Sequence, residues 1–167
     1  MPSFIGIDPG KKGAIAFVDD DDFPYVEDTP LLGDGAYDIP RMVELVRFLL
    51  RDLEPSQVTV TIESQWSRPR HGGVGSFTNG FGYGLWMGIL HAEGYVPIAV
   101  PPNVWKEAVG VTADKSTSIA LARRLYPLAA LIPEKRRYTR PRDGRAEALL
   151  IMMYGRQHQE TLCRTTS

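Results

Sequence analysis

The sequence predicts an α/β protein with a five-stranded sheet flanked by helices. Three observations point there. The chain opens on a short apolar run, Phe4 to Ile7, that returns through a Pro-Gly-Lys turn into a second apolar run. The stretch "QVTVTIE" (57–63) alternates Val58, Val60 and Ile62 with Thr59, Thr61 and Glu63, the two-residue period of a strand. Residues 42–53 and 146–153 instead repeat their apolar side chains at three- and four-residue steps, the period of a helix.

Taken in order, residues 3–8 and 13–18 read as a hairpin, with Gly10 and Gly13 in the connection where positive φ is favoured. A third strand is predicted at 25–29. From Asp38, an N-cap followed by Pro40 in the first turn, Met42, Leu45, Val46, Leu49 and Leu53 mark an amphipathic helix. The 57–63 strand leads into a Gly- and Arg-rich loop and then a helix over about 79–92, whose Gly80, Gly84 and Gly88 recur four apart. A short strand at 95–100 precedes a short helix in "PPNVWKEAVG". Residues 113–127 form a further helix, capped by Asp114, with Ile119, Ala122 and Leu125 inward. The last helix begins near Pro141 and carries Ala146, Leu149, Leu150 and Met153 as its apolar stripe. With no repeat, low-complexity tract or long linker, residues 1–158 are predicted as a single domain and 159–167 as a C-terminal tail.

A length of 167 residues, 43% hydrophobic and 23% charged, is that of an ordinary globular chain with room for a full core. No apolar stretch approaches the roughly 20 residues of a membrane span, and the start lacks a signal-peptide pattern, so no membrane partner and a cytoplasmic location are predicted. The lone Cys163 cannot form an internal disulfide. Net charge is only −1, which taken alone argues against a chain coated in positive charge for nucleic acid. The distribution is uneven: "EKRRYTRPRDGR" (134–145) gathers Lys135, Arg136, Arg137, Arg140, Arg142 and Arg145 against Glu134 and Asp143. A run of this kind is ordinarily a solvated loop.

Acids stand where the pattern calls for apolar residues. Asp8 ends the first strand and Glu63 ends the 57–63 strand; Asp143 and Glu147, spaced i, i+4, share one face of the last helix. Singly, each has an ordinary explanation, since Asp-Pro-Gly is a common turn and an acid at a helix N-terminus favours the helix dipole. All four beside apolar elements are harder to explain that way. If the two strands are neighbours, the carboxylates meet, and their mutual repulsion calls for protons or for cations between them. Mg²⁺ or Mn²⁺ suits such hard oxygen donors. Two ions about 4 Å apart would support in-line hydrolysis of a phosphodiester.

These residues also resemble a known family. "FIGIDPGKKGAIAF", "TIESQW", "FGYGLWMGIL", "PPNVWKEAVG", "ADKSTSIALARRLYP" and "DGRAEALLIMMYG" are similar, in order from about residue 3 to 156, to the RuvC-type Holliday-junction resolvases, particularly their phage-borne branch. The resemblance implies a ribonuclease H-like fold, a homodimer and metal-dependent paired nicking of four-way DNA junctions, with Mg²⁺ as cofactor, two ions per site and Mn²⁺ as substitute. By position it makes Asp8, Glu63, Asp143 and Glu147 the metal-binding and catalytic acids. The bacterial enzymes usually space the last pair three apart and end it with Asp, which leaves open which of Asp143 and Glu147 binds metal directly. Lys106 and Lys115 fall where the family has basic residues near the DNA backbone, and Lys115 could steady charge on the scissile phosphate. Trp66 aligns with an aromatic that stacks on junction bases, in a polar loop that also holds Arg68, Arg70 and His71. The 81–90 helix resembles the family's dimer helix, or else packs on its own sheet. Trp86 and Trp105, among apolar neighbours, read as packing residues. Lys11 and Lys12 either touch phosphate or decorate a turn, and His91 and His158 have no partner spacing.

Three alternatives compete. "GIDPGKKG" also resembles the phosphate loop of sugar kinases and actin-like ATPases, but those need a second lobe for which the chain has no room. A junction-binding protein without catalysis would make the acids dispensable, and a broader branched-DNA nuclease could use the same site on flaps and Y-forks. On the resolvase reading, the 134–145 segment is a phosphate-binding surface beside the catalytic helix, with Arg136, Arg137 and Arg140 binding DNA. Neutralising those three together is predicted to weaken junction binding and flatten its dependence on salt, by about 0.9 in the logarithmic slope for each phosphate no longer neutralised. Binding isotherms at several salt concentrations check this, and unchanged isotherms would refute the role.

Overall fold

Strand β1 (Ser3–Asp8) is buried along both faces except at its last residue, which marks it as the centre of a sheet. The computed structural model describes residues 2–19, 23–64, 73–134 and 139–165. Within them β1 is joined by β2 (Ala14–Val18), β3 (Tyr25–Asp28), β4 (Val58–Glu63) and β5 (Ile98–Val100) in the order β3-β2-β1-β4-β5. The first three strands form antiparallel pairs, β1 with β2 and β2 with β3, whereas β1–β4 and β4–β5 run parallel. This is the five-stranded sheet flanked by helices that the periodicity predicts, with the mixed pairing of the ribonuclease H-like fold that the resemblance implies. The hairpin closes with Gly13 N–H donating to Gly10 O at 2.9 Å.

Helix α1 (Ile39–Leu50) starts as predicted, with the Asp38 carboxylate accepting from Arg41 N–H at 3.1 Å. It stops earlier than the periodicity suggests, because Asp52 turns the chain with a φ of +65°, a conformation that Asp tolerates better than most residues. Helix α2 (Gly73–Ala92) begins upstream of the predicted residue 79, and β5 is three residues long, shorter than 95–100. Tyr95 is taken out of that strand: its hydroxyl donates to Leu53 O at 2.8 Å, under the core of the α1 side. Helix α3 (Pro102–Val109) and helix α4 (Lys115–Leu125) follow, the latter capped by Asp114 as predicted, with Ser116 N–H at 2.9 Å. On α4 the inward face is Ser118 and Ala122, with Ile119 half-buried; Leu125, predicted inward, is 41% exposed. Helix α5 (Asp143–Thr165) starts two residues after Pro141 and runs on past residue 158. Among the described residues, no helix is long and apolar enough to cross a membrane.

The sheet separates two apolar cores. Ile5, Ile7, Ile15, Val60 and Ile62 face α1 and α2; Phe4, Ala14, Ala16 and Val18 face α5. The predicted stripe of α5 understates its burial, for every residue from Gly144 to Gly155 is buried. That is possible because α5 lies in a central layer, between the sheet on one side and α4 and α3 on the other. Its backbone comes against β1 at Gly6, where a Cβ would collide with Ala148 O and Met152 N, both main-chain atoms. Neither can swing away as a side-chain end could. Gly6→Ala is therefore expected to destabilise the fold by about 3 kcal/mol or more by forcing α5 off the sheet. Urea unfolding of the variant against the parent measures it.

Candidate active site

The pleat decides which way the acids point. Successive residues of a strand alternate faces, so Phe4, Gly6 and Asp8 look toward α5 while Ile5 and Ile7 look away. On β4 the same alternation puts Val60 and Ile62 on the α1 side and leaves Thr59, Thr61 and Glu63 toward α5, where Thr61 abuts Gly155. The parallel register pairs Ile7 with Ile62, so one residue further on Asp8 and Glu63 are side by side at the carboxyl ends of adjacent strands. Helix α5 crosses above them with Asp143 in its first turn and Glu147 one turn later. Asp8 accordingly feels the charges of Glu63, Glu147 and, more weakly, Asp143.

What aims the start of α5 is a partly buried clasp. Asp28 at the end of β3 accepts from Arg145 Nε at 2.7 Å through one oxygen and from Arg142 Nη1 at 2.9 Å through the other. Arg145 also donates to Ala130 O at 2.6 Å and is only 5% exposed. Both arginines belong to the basic 134–145 stretch but are not among the three assigned to DNA, and the structure sets them against Asp28. Their charge is spent inside the protein, against a carboxylate contributed from more than a hundred residues away. Arg140, by contrast, is exposed.

Electrostatically the site is in conflict at Asp8. Desolvation by the surrounding protein, then the charges of Glu63 and Glu147 and, more weakly, Asp143, push its carboxyl up to about 8, against a single long backbone hydrogen bond from Gly10 N–H at 3.4 Å. The helix acids fare better. Lys106 Nζ on α3 lies 2.8 Å from Glu147 Oε1. Lys115, the first residue of α4, forms an ion pair with Asp143. Burial works to raise the Asp143 carboxyl, but the hydrogen bond and charge of Lys115, its own N–H and Arg142 hold it below the usual range. In return Asp143 raises Lys115 and keeps it cationic. Glu63 is reached by the indole of Trp105, whose Nε1–H donates to Oε2 at 2.8 Å. Trp105 is fully buried, as a packing residue should be, yet its polar edge ends in the site. Its place one helical turn after the last strand is written in the sequence, but the pairing that sets that strand beside Glu63 is not.

This donor set suits Mg²⁺ or Mn²⁺: four hard carboxylates, among them Asp8, which its surroundings hold protonated up to about pH 8 and which would exchange that proton for a cation. As the side chains stand, no group of three or more His, Cys, Asp or Glu among the described residues is arranged to hold one ion. Lys106 and Lys115 draw Glu147 and Asp143 toward their ammonium groups, occupying them as cations would. Trp66, Arg68, Arg70 and His71, together with Lys135, Arg136 and Arg137, lie outside the described residues. Lys11 and Lys12 are exposed on the turn that follows Asp8.

Comparison with known proteins gives the same fold. The chain superposes on Thermus thermophilus RuvC in complex with a Holliday junction substrate with a TM-score of 0.60 at 17% identity, over 95% of this chain and 96% of that one. A second Thermus thermophilus RuvC structure gives 0.59 at 18% identity with the same coverage. The architecture is thus the ribonuclease H-like fold of RuvC. In sequence, 86 residues are 33% identical to the chloroplastic Holliday junction resolvase MOC1 of Chlamydomonas reinhardtii, a match that spans 50% of this chain and 9% of that much longer protein. No protein-family model matches the chain.

The conflict at Asp8 has a measurable sign. Its carboxyl stays protonated in the fold up to about pH 8, whereas in the unfolded chain it ionises near its ordinary value of 3.8. Between those limits the unfolded state gains by releasing the proton, so the metal-free fold loses stability as pH rises, by an amount on the order of a few kcal/mol. Asp8→Asn removes this loss. The variant is expected to be the more stable protein in chelator, by a margin that grows from about pH 4 to about pH 8 and is absent below that window. Urea midpoints for both proteins across that range test it.

Proposed function

We propose that the chain is a metal-dependent endonuclease that resolves four-way DNA junctions by paired phosphodiester hydrolysis. The observation that carries this is the convergence of Asp8, Glu63, Asp143 and Glu147 at one end of a RuvC-like sheet, with Lys106 and Lys115 already on two of them. Two divalent cations held by these carboxylates would supply an activated water and stabilise the leaving oxygen in an in-line displacement. The protein's share is positioning and charge. Asp8 and Glu63 are fixed by strand register, and Asp143 and Glu147 by a helix clamped through Asp28. Lys115, with two thirds of its side chain exposed and kept cationic by Asp143, is the ammonium available to a phosphate oxygen.

Two matched cuts on a two-fold junction call for a C₂ homodimer. The face of α2 supports one: a Cβ at Gly80, Gly84 or Gly88 would meet no described atom, and Phe77 and Phe81 stack with centroids 5.9 Å apart while 71% and 46% exposed. Trp66, Arg68, Arg70, Lys106, Arg136, Arg137 and Arg140 complete the proposed DNA surface.

The decisive assay offers labelled four-way, Y-shaped and linear DNA to the protein with Mg²⁺, with Mn²⁺ and with chelator. Cleavage is expected in opposed junction strands, with either metal and not with chelator; Asp8→Asn is expected to bind junctions and lose at least about 1000-fold in cleavage rate. Cleavage by Asp8→Asn at the parent rate would overturn the site. Equal cutting of Y-shaped DNA would replace junction resolution with a broader branched-DNA activity.

A further inference from the structure

Of the side chains that touch the four acids, the indole of Trp105 is the one whose chemistry the reaction does not explain. It brings no charge, it is fully buried, and it spends its only polar atom on Glu63. Its placement follows from the chain path. The parallel pairing of β4 and β5 sets Val100 beside Glu63, and Ser64 N–H bonds Val100 O at 2.9 Å, which fixes the two strand ends together. Pro101 and Pro102 then turn the chain directly into α3, and one turn later Trp105 N–H reaches back to Pro101 O at 3.3 Å. The indole is thereby carried to the carboxylate on a short tether with no loop to absorb slack. Its neighbour Lys106 lies 5.1 Å from the centre of the Trp105 ring and bonds Glu147 at 2.8 Å, so consecutive residues of α3 grip two acids that come from different elements.

We propose that Trp105 is a positioning residue: its indole N–H selects one orientation of the Glu63 carboxylate and so sets how that group is presented to a divalent cation. This rests on the metal-site reading above. A carboxylate at a strand end can rotate about its side-chain bonds, and a buried donor that would be left without a partner if the group turned removes that freedom. Partners of this kind, behind the metal ligands, commonly govern affinity for the ion. A tryptophan present only for packing would do nothing to metal affinity.

The test is Trp105→Phe, which keeps an aromatic ring in the core and deletes the N–H. Mn²⁺ binding is measured by electron paramagnetic resonance on the full chain without DNA. The parent should bind, and the variant should bind about 10-fold or more weakly. Junction cleavage by the variant should fall at low Mg²⁺, recover at high Mg²⁺ and show an unchanged KM for DNA. Equal Mn²⁺ affinity in both proteins overturns the positioning role alone; failure of the parent to bind Mn²⁺ overturns the metal-site reading and this role with it. If Trp105→Phe does not fold, the parent protein decides. The chain has 3 tryptophans, so its indole N–H resonances are few, and one of them must move both on Glu63→Ala substitution and on Mg²⁺ titration. If none responds to both, the inference is wrong.

Discussion

The parallel pairing of β1 with β4, under a helix that touches β1 main chain to main chain, is the constraint from which the rest of this molecule follows. Register places Asp8 next to Glu63, the pleat turns both toward α5, and the absence of a side chain at Gly6 lets α5 descend far enough to add Asp143 and Glu147. A slip of one residue between the strands would send one of the two acids to the α1 side and break the cluster. The fold therefore tolerates a concentration of negative charge because the apolar burial around it, on both sheet faces and all round α5, is large enough to hold it there.

That charge is distributed unequally, and the inequality is chemically useful. Asp143 and Glu147 have ammonium partners; Asp8 has burial and like charges. A buried carboxyl kept at high pKa by its neighbours is a local cost to stability, of the sort found where a protein holds a site ready for a cation or a reaction. The lysines neutralise the two helix acids and leave Asp8 to its burial and like charges. Each comes from a different helix, so a ligand that displaced one would not release the other.

Positive charge near the site is divided in a parallel way. Arg142 and Arg145 point inward and hold the start of α5 to β3, while Arg140 faces solvent just before them in the chain. Two guanidinium groups turned onto one carboxylate fix geometry, whereas an exposed one is open to solvent. One stretch of sequence thus carries both inward-facing and outward-facing arginines, with the division falling where the chain enters the helix.

By itself the amino-acid sequence settled the local matters: strands at 3–8 and around 58–63, the caps at Asp38 and Asp114, and acids at strand ends where an apolar residue would otherwise stand. Those depend on periods and on neighbours within a turn, which are written along the chain. The tertiary structure alone decided that Trp105 bonds Glu63, that Arg142 and Arg145 belong to Asp28, that Leu125 faces outward with Ser118 inside, and that α5 is buried on every side of its first half. Each of these joins residues distant in sequence or depends on which of two faces finds a partner. An arginine next to a helix start has the same local pattern whether it will meet phosphate or a buried carboxylate, and only the docking of α5 against β3 distinguishes them.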